Sequence, residues 1–187
     1  MKHSLVTVYR FRDEVSRMTG AYIARFVIGS ALCLALGACL EERYWYGFAF
    51  DLAADGQHAE ALDYQYRYGK EILVGVPRQY VDAGRTWRGV GHGGNFPLGT
   101  AVYLKWRDTK TGKVYEETAN IEGRLRGKGK QGNLDYSNVS LLIIENHLHV
   151  YLALHEERPV DMAPVGPAIY QPYKVYEIYP SDPDPPR

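Results

Sequence analysis

Two kinds of hydrophobic pattern divide the chain. Near the amino terminus, about eleven mostly apolar residues run from Phe26 to Leu36 without alternation, and the run closes at Cys39. From residue 44 onward, apolar and polar residues alternate in short stretches separated by Gly, Pro, Asn and Asp, which is typical of half-buried strands joined by turns. The second pattern predicts an all-β, mainly antiparallel domain, built as a compact β-sandwich or a small barrel.

The clearest strand covers residues 100–107, where Val102, Leu104 and Trp106 share one face. A turn over 108–113 returns the chain into a partner strand at 114–121. A second hairpin joins residues 140–144, through a turn at Glu145-Asn146, to a strand with Leu148, Val150, Leu152 and Leu154 on one face. Further strands are predicted at 44–50, 62–68, 72–76 and 173–179, although residues 59–62 also favour helix.

Three stretches have the composition of loops. Residues 84–99 and 123–132 are rich in glycine, and residues 158–172 are rich in proline. The final residues, 180–187, hold too much proline and charge to pack, which predicts a disordered tail.

The apolar run predicts an export signal. Arg25 precedes the run and small residues follow it, in the order of a secretory signal peptide. The run is shorter than the roughly 20 residues of a spanning helix and is broken at Gly29 and Ser30. We therefore assign residues 1–38 to a signal peptide and exclude them from the fold. Met18 opens a more compact signal and is the predicted true start of translation.

Leu36-Gly37-Ala38-Cys39 resembles the lipobox of bacterial lipoproteins. The resemblance implies that diacylglycerol is attached to the Cys39 thiol, that the peptide is cut before Cys39, and that the new amino terminus is acylated, for example with palmitate. A single β-rich domain, residues 39–179, would then be anchored at Cys39. The residue after Cys39 is Leu40 and not Asp. By analogy with the sorting of enterobacterial lipoproteins, this favours an anchor in the outer membrane, with the domain on the periplasmic side.

Composition narrows the possible partners. The residues after the signal, about 150 of them, suffice for one ordinary domain with a real core. They are slightly acidic, which argues against nucleic acid, because phosphate contacts need clustered Lys and Arg. Cys33 would be removed with the signal peptide and Cys39 would carry lipid, so the domain would have no disulfide. Packing alone must then stabilise it, and many of the 16 Tyr contribute their rings to that packing.

The residues offer little support for catalysis. Ser137, Ser140 and Ser181 stand outside any Gly-x-Ser-x-Gly setting. Glu116 and Glu117 face opposite sides of their strand, unlike the paired carboxylates of a glycosidase. Three histidines share one strand face and could collect a metal, but a polar solvent face is the favoured interpretation: His147, His149 and His155. We expect no enzymatic activity, no metal and no cofactor.

The glycine-rich stretch 84–99 is the predicted contact surface for a protein partner. It lacks the Lys-Ser/Thr of a phosphate-binding loop, but it carries the aromatic and Arg side chains that are enriched at interface hot spots. The candidates are Arg85, Trp87, Arg88, His92 and Phe96, with an edge formed by Tyr64, Tyr66 and Tyr68 as the second choice.

Three interpretations fit the basic stretch from Arg124 to Lys130. It could meet anionic lipid headgroups near the anchor, meet an acidic patch on a protein partner, or be a solvated loop with no role, which is the favoured interpretation.

A family resemblance suggests a partner. Residues 97–118 form a Pro-led strand ending in Trp106, a turn, and a return strand with Tyr-Glu; this pattern, with residues 148–152 and 172–180, resembles the small β-rich lipoproteins of Gram-negative bacteria. Several of these are immunity proteins for phospholipase effectors of type VI secretion. The resemblance implies steric occlusion of a toxic effector at the membrane. The alternative is a structural or assembly lipoprotein of the envelope without a toxin partner.

Overall fold

The computed structural model describes residues 42–180. The signal segment, the start at Met18, the lipidation of Cys39 and residues 181–187 of the tail therefore lie outside the described residues and stay predictions. The described chain forms nine strands: β1 (Arg43–Asp51), β2 (Ala59–Tyr68), β3 (Glu71–Gly75), β4 (Gly89–Pro97), β5 (Ala101–Asp108), β6 (Val114–Asn120), β7 (Asn138–Ile144), β8 (His147–Glu157) and β9 (Tyr173–Tyr179).

Two α-helices and one short 3₁₀ helix accompany the strands. They are α1 (Arg78–Asp82), α2 (Glu122–Gly129) and the 3₁₀ helix Ala168–Tyr170. No helix in the described range is both long and apolar enough to span a bilayer.

The strands form two sheets that pack as a sandwich, which confirms the first of the two predicted architectures. One sheet has the order β4-β1-β7-β8-β9, and the other has the order β3-β2-β5-β6. Neighbouring strands are antiparallel except β1 and β7, which run parallel with Gly47 opposite Asn138. Both predicted hairpins are confirmed, and Glu145 and Asn146 adopt the positive φ angles that a tight two-residue turn requires.

The alternating positions fill the space between the sheets. Val102, Leu104 and Trp106 of β5 are fully buried, as are Leu148, Val150, Leu152 and Leu154 of β8. At the centre, the ring of Phe48 from β1 stacks on Tyr66 from β2, with centroids 5.0 Å apart. Offset and edge-to-face aromatic pairs of this kind add about 1 kcal/mol each beyond the area they bury.

A buried hydroxyl pair ties the two sheets together. Tyr46 of β1 and Tyr66 of β2 bring their hydroxyl oxygens within 2.7 Å, and the Tyr46 hydroxyl donates to the carbonyl of Pro97 at 2.6 Å. The amide of Gly99 donates to both hydroxyl oxygens, at 3.2 and 3.0 Å. Every polar group of this cluster has a partner, so the network fixes the crossover from β4 to β5 against both sheets.

The tyrosines make stability sensitive to alkaline pH. Burial raises the pKa of Tyr46 from 10.0 to about 12 and that of Tyr66 well above its usual value. A hydrogen bond to Glu117 raises the pKa of Tyr179 to about 12. Because the neutral phenol is the favoured form in the folded state, its contribution is complete below pH 10 and is lost as pH rises toward 12. We expect the midpoint of thermal unfolding to fall across this window.

The control for this expectation is Tyr46→Phe, which removes one of the shifted groups. Its unfolding midpoint should be lower than that of the unsubstituted protein near neutral pH, and should fall less steeply with pH above 10. A midpoint that stays constant up to pH 12 in the unsubstituted protein would contradict the assignment of buried, neutral tyrosines.

Two stretches predicted as loops are regular structure, so those predictions were wrong. Residues 89–97 form β4, which pairs with β1 over nine positions from Asp51↔Gly89 to Arg43↔Pro97. Residues 122–129 form α2, because Leu125 is buried in the core and a Glu122–Arg126 pair spans one helical turn. The stretch 158–172 is irregular apart from its 3₁₀ helix, and it covers a second small cluster on the outer face of β8: Leu142, Tyr151, Ala153, Val175 and Tyr170.

Candidate functional site

The predicted contact surface over residues 85–96 does not form one loop. Because β4 pairs along β1, residues 89–96 extend over about 23 Å of the sheet edge, whereas residues 85–88 precede the strand. Trp87 makes an antiparallel bridge to Ala61 and sets its ring edge-on to Tyr64, 6.1 Å between centroids. Trp87 and Phe96 are partly buried and pack against the core. Both residues therefore support the fold, which corrects their prediction as exposed anchors.

The second predicted surface, the tyrosine edge, is also corrected. Strand β2 lies between β3 and β5, so it has no free edge. Tyr64 and Tyr66 are buried within the core, and Tyr68 is half-buried at the end of the strand. Neither buried ring can reach a partner without separating the sheets.

Arg85, Arg88 and His92 are exposed as predicted, but the structure distributes them. Arg85 lies over the ring of Tyr80 at 4.6 Å, beside the outer face of β2 and β5. His92 lines a cavity on the outer face of the other sheet. These residues do not form one contact patch.

An exposed aromatic pair marks the most distinctive site on the described surface. Trp45 on the outer face of β1 is 55% exposed, and Tyr136, just before β7, is 67% exposed. Both line a cavity of about 320 Å³ that also includes Gly47, Gly93 and Asn138. We call this cavity, with these five residues and Ala49, Gly91 and His92, the aromatic groove.

The floor of the aromatic groove has almost no side chains. On the outer face, Gly47 of β1 pairs with Gly93 of β4, and Ala49 pairs with Gly91. A Cβ atom at Gly91 or Gly93 would meet nothing within 4 Å, so both positions open onto free space. A Cβ at Gly47 would come within 2.2 Å of the Asn138 side-chain oxygen, so glycine there lets Asn138 lie across the floor. The groove thus presents mainly backbone, with the Asn138 side chain across it, beside two exposed aromatic side chains.

The backbone around Tyr136 is held in an unfavourable conformation. Its φ angle is +66°, in the left-handed region that non-glycine residues seldom adopt. Its amide donates to the carbonyl of Trp45 at 2.6 Å, and the amide of Trp45 donates to Asp135 Oδ1 at 2.9 Å. These two hydrogen bonds fix the two aromatic residues relative to each other. Strain retained at an exposed aromatic residue is typical of a functional position.

The aromatic groove continues along β1 toward its far end. A second cavity of about 210 Å³ shares Ala49 with it and reaches the 3₁₀ helix, where Ile169 is exposed. The amide of Ala168 donates to Asp55 Oδ1 at 3.1 Å and fixes that helix on the β1–β2 turn. Together the cavities follow most of β1, long enough for an extended segment of a partner.

A different kind of cavity lies on the outer face of the other sheet. It encloses about 290 Å³ between α1, β2 and β5 and is lined by Arg78, Arg85, Lys105 and Arg107. Asp63, only 7% exposed, lies at its base, and within the described part of the chain its Oδ1 has no hydrogen-bond partner. Burial raises the pKa of Asp63, and the charges of Arg78, Arg67 and Lys105 oppose that rise.

The histidines and serines considered for chemistry have structural contacts. His149 bonds to Glu177 at 2.6 Å, and His155 stacks on Tyr173. Among residues 42–180 no group of three or more His, Cys, Asp or Glu side chains could hold a metal ion. Ser137 and Ser140 are buried, and the Ser137 hydroxyl donates to the carbonyl of Leu134.

Sequence reasoning missed Trp45 and Tyr136. Trp45, Gly47 and Ala49 lie on the outward face of the same strand. One large residue followed by two small ones on that face was the signal that could have indicated a groove.

Comparisons with known proteins identify no relative: no protein-family model matches the chain, and neither the curated proteins nor the solved structures contain a significant match.

Proposed function

We propose that the chain is a lipid-anchored protein of the cell envelope that binds a toxic effector, such as a type VI secretion phospholipase, through the aromatic groove and blocks it sterically. The observation that carries the proposal is the pair Trp45 and Tyr136, fixed by two hydrogen bonds and exposed beside a floor made mainly of glycine backbone. Trp and Tyr are the side chains most enriched at interface hot spots, where they insert into pockets of the partner.

The proposed anchor would place the groove at the membrane. Arg43, the first residue of β1, follows Cys39 by four positions, and a chain of that length spans at most about 14 Å. Trp45 would then lie within about 20 Å of the acylated cysteine. Several acyl chains at about 0.8 kcal/mol per buried CH₂ make such attachment effectively permanent. Anchoring would thus concentrate the binder where a phospholipase meets its substrate.

The first test is to purify the protein from cell membranes, determine the mass of its amino-terminal peptide, and identify the proteins that copurify. A triacylated Cys39 with a copurifying phospholipase supports the proposal. A lipidated protein that carries only envelope components would favour the structural alternative, and an unmodified Cys39 would remove the basis for the anchor.

Two substitutions test the groove once a partner is captured. Trp45→Ala should weaken binding by about 2 kcal/mol, roughly 30-fold, because it removes a hot-spot side chain. Tyr136→Gly should weaken binding similarly, yet leave the free energy of unfolding unchanged or raise it by up to about 1 kcal/mol, because glycine adopts positive φ without strain. Isothermal titration and denaturant unfolding measure the two effects.

Val160→Ala is the matched control, since Val160 is fully exposed and lies outside the groove. We expect it to change neither binding nor stability measurably. If Trp45→Ala and Tyr136→Gly bind the partner as tightly as the unsubstituted protein, the groove is not the contact surface.

A further inference from the structure

One end of the sandwich collects the start of β1 and the helix α2. The pairing registers place Arg43 and Pro97 at this end, and β6 finishes there opposite Ala101 and leads directly into α2. The segment after α2 returns beside β1, where the Trp45 amide bonds to Asp135. We call this the β1-start end. Since the chain enters β1 here, the proposed anchor at Cys39 would leave the domain at this end.

Helix α2 has two buried residues and several basic side chains at its other positions. Leu125 and Gly129 are buried, and the side chain of Leu134 lies against Gly129. The remaining positions carry four basic residues and one acidic residue: Arg124, Arg126, Lys128 and Lys130, with Glu122. Arg126 and Lys130 are exposed. The helix and the residue that follows it therefore carry a net positive charge of about three, enough to form a local electrostatic patch.

Three of the acidic groups at this end are engaged by other residues. Glu122 lies 3.8 Å from Arg126, and Glu156 accepts from the amide of Asn133 and lies 3.5 Å from Lys174. Glu42 accepts the hydroxyl proton of Tyr44 in a hydrogen bond. That bond raises the pKa of Tyr44.

We propose that the basic side chains of α2 and of the following Lys130 contact anionic lipid headgroups of the membrane in which the protein is anchored. The inference rests on the proposed lipid anchor for its geometry, because β1 begins at Arg43, four positions after Cys39. Each Lys or Arg held near an anionic surface contributes about fivefold to the partition coefficient. The contact fixes the orientation of the sandwich, so that the Trp45 end of the aromatic groove stays beside the membrane surface.

The test uses the chain from residue 40 to the end, without the acylated cysteine. Residues 42–180 contain both sheets and all the core residues described above, so this form retains the whole described fold. Its sedimentation with vesicles of phosphatidylcholine is compared with that on vesicles of equal parts phosphatidylcholine and phosphatidylglycerol. We expect binding to the second kind alone, and weaker binding at 1 M salt, where the Debye length falls from about 10 Å to about 3 Å.

Two double variants with the same change in charge locate the surface. Lys128→Gln with Lys130→Gln should lower the partition coefficient about 25-fold, or fivefold per charge. Lys110→Gln with Lys113→Gln, in the β5–β6 turn at the opposite end, should lower it less than about twofold. Circular dichroism melting of each variant verifies that the fold is kept.

Three outcomes overturn the inference: equal binding to both vesicle types, equal loss in both double variants, or displacement by inorganic phosphate, which would indicate a soluble anion. The proposed function fails separately. If Cys39 proves unmodified while the α2 variant still loses vesicle binding, the lipid surface stands and the anchor does not. If a phospholipase copurifies with the acylated protein while the vesicles are not bound, the proposed function stands and the lipid contact of α2 does not.

Discussion

Gly99→Ala is expected to lower the free energy of unfolding by about 3 kcal/mol, at the upper end of the usual range for overpacking a closed core. A Cβ atom at this position would lie 2.2 Å from two ring carbons of Tyr66, far inside van der Waals contact. The ring cannot withdraw, because Tyr66 is fully buried, stacked on Phe48 and hydrogen-bonded to Tyr46. Urea unfolding followed by circular dichroism measures the loss.

Gly127→Ala is the matched control for this variant. A Cβ atom at Gly127 meets nothing within 4 Å, and the residue lies inside α2. Alanine there should stabilise the protein by about 0.5–1 kcal/mol, because it favours helix over the unfolded chain. A Gly99→Ala protein as stable as the unsubstituted one would show that the Tyr46–Tyr66–Gly99 network is not closed in solution.

Glu117→Ala has the second largest expected effect, a loss of about 2–3 kcal/mol, because two donors lose their acceptor at once. Glu117 belongs to β6 at the edge of one sheet, yet its carboxylate accepts from the Leu148 amide at 3.0 Å and from the Tyr179 hydroxyl at 2.6 Å. Both partners belong to the other sheet. The side chain therefore fastens the sandwich on its β6–β8 side.

The neighbouring Glu116 provides the control. It points to the opposite face of β6 and pairs with Lys105 at 3.7 Å across a largely exposed surface. Glu116→Ala should change stability by less than about 1 kcal/mol, as exposed ion pairs contribute little. Equal losses in the two variants would mean that the removal of one negative charge, and not the loss of the hydrogen bonds between the sheets, lowers the stability. Glu117→Gln, which keeps an acceptor oxygen, should fall between Glu117→Ala and the unsubstituted protein.

The strand pattern determined most of the fold. The apolar positions of β5 and β8 alternate with period two. In β5 burial follows that alternation, because one face of the strand is toward the core and the other away from it, whereas in β8 residues 150–154 are buried on both faces because the second cluster covers the outer one. The Glu145-Asn146 turn and both hairpins followed from the same local signals. These elements are stabilised by residues near one another in sequence, so the chain carries the information locally.

Only the tertiary structure decided β4 and α2, and with them the candidate site. Glycine is a poor former of both strands and helices, so the composition of 84–99 and 123–132 indicated loops. The pairing of β4 with β1 along nine positions and the burial of Leu125 outweigh that preference.

The aromatic groove also depends on tertiary structure. Trp45, Gly93 and Tyr136 are far apart in the chain, and they meet because β1 is paired with β4 on one side and with β7 on the other. Strand pairing between distant segments depends on the whole sandwich, which no local pattern records.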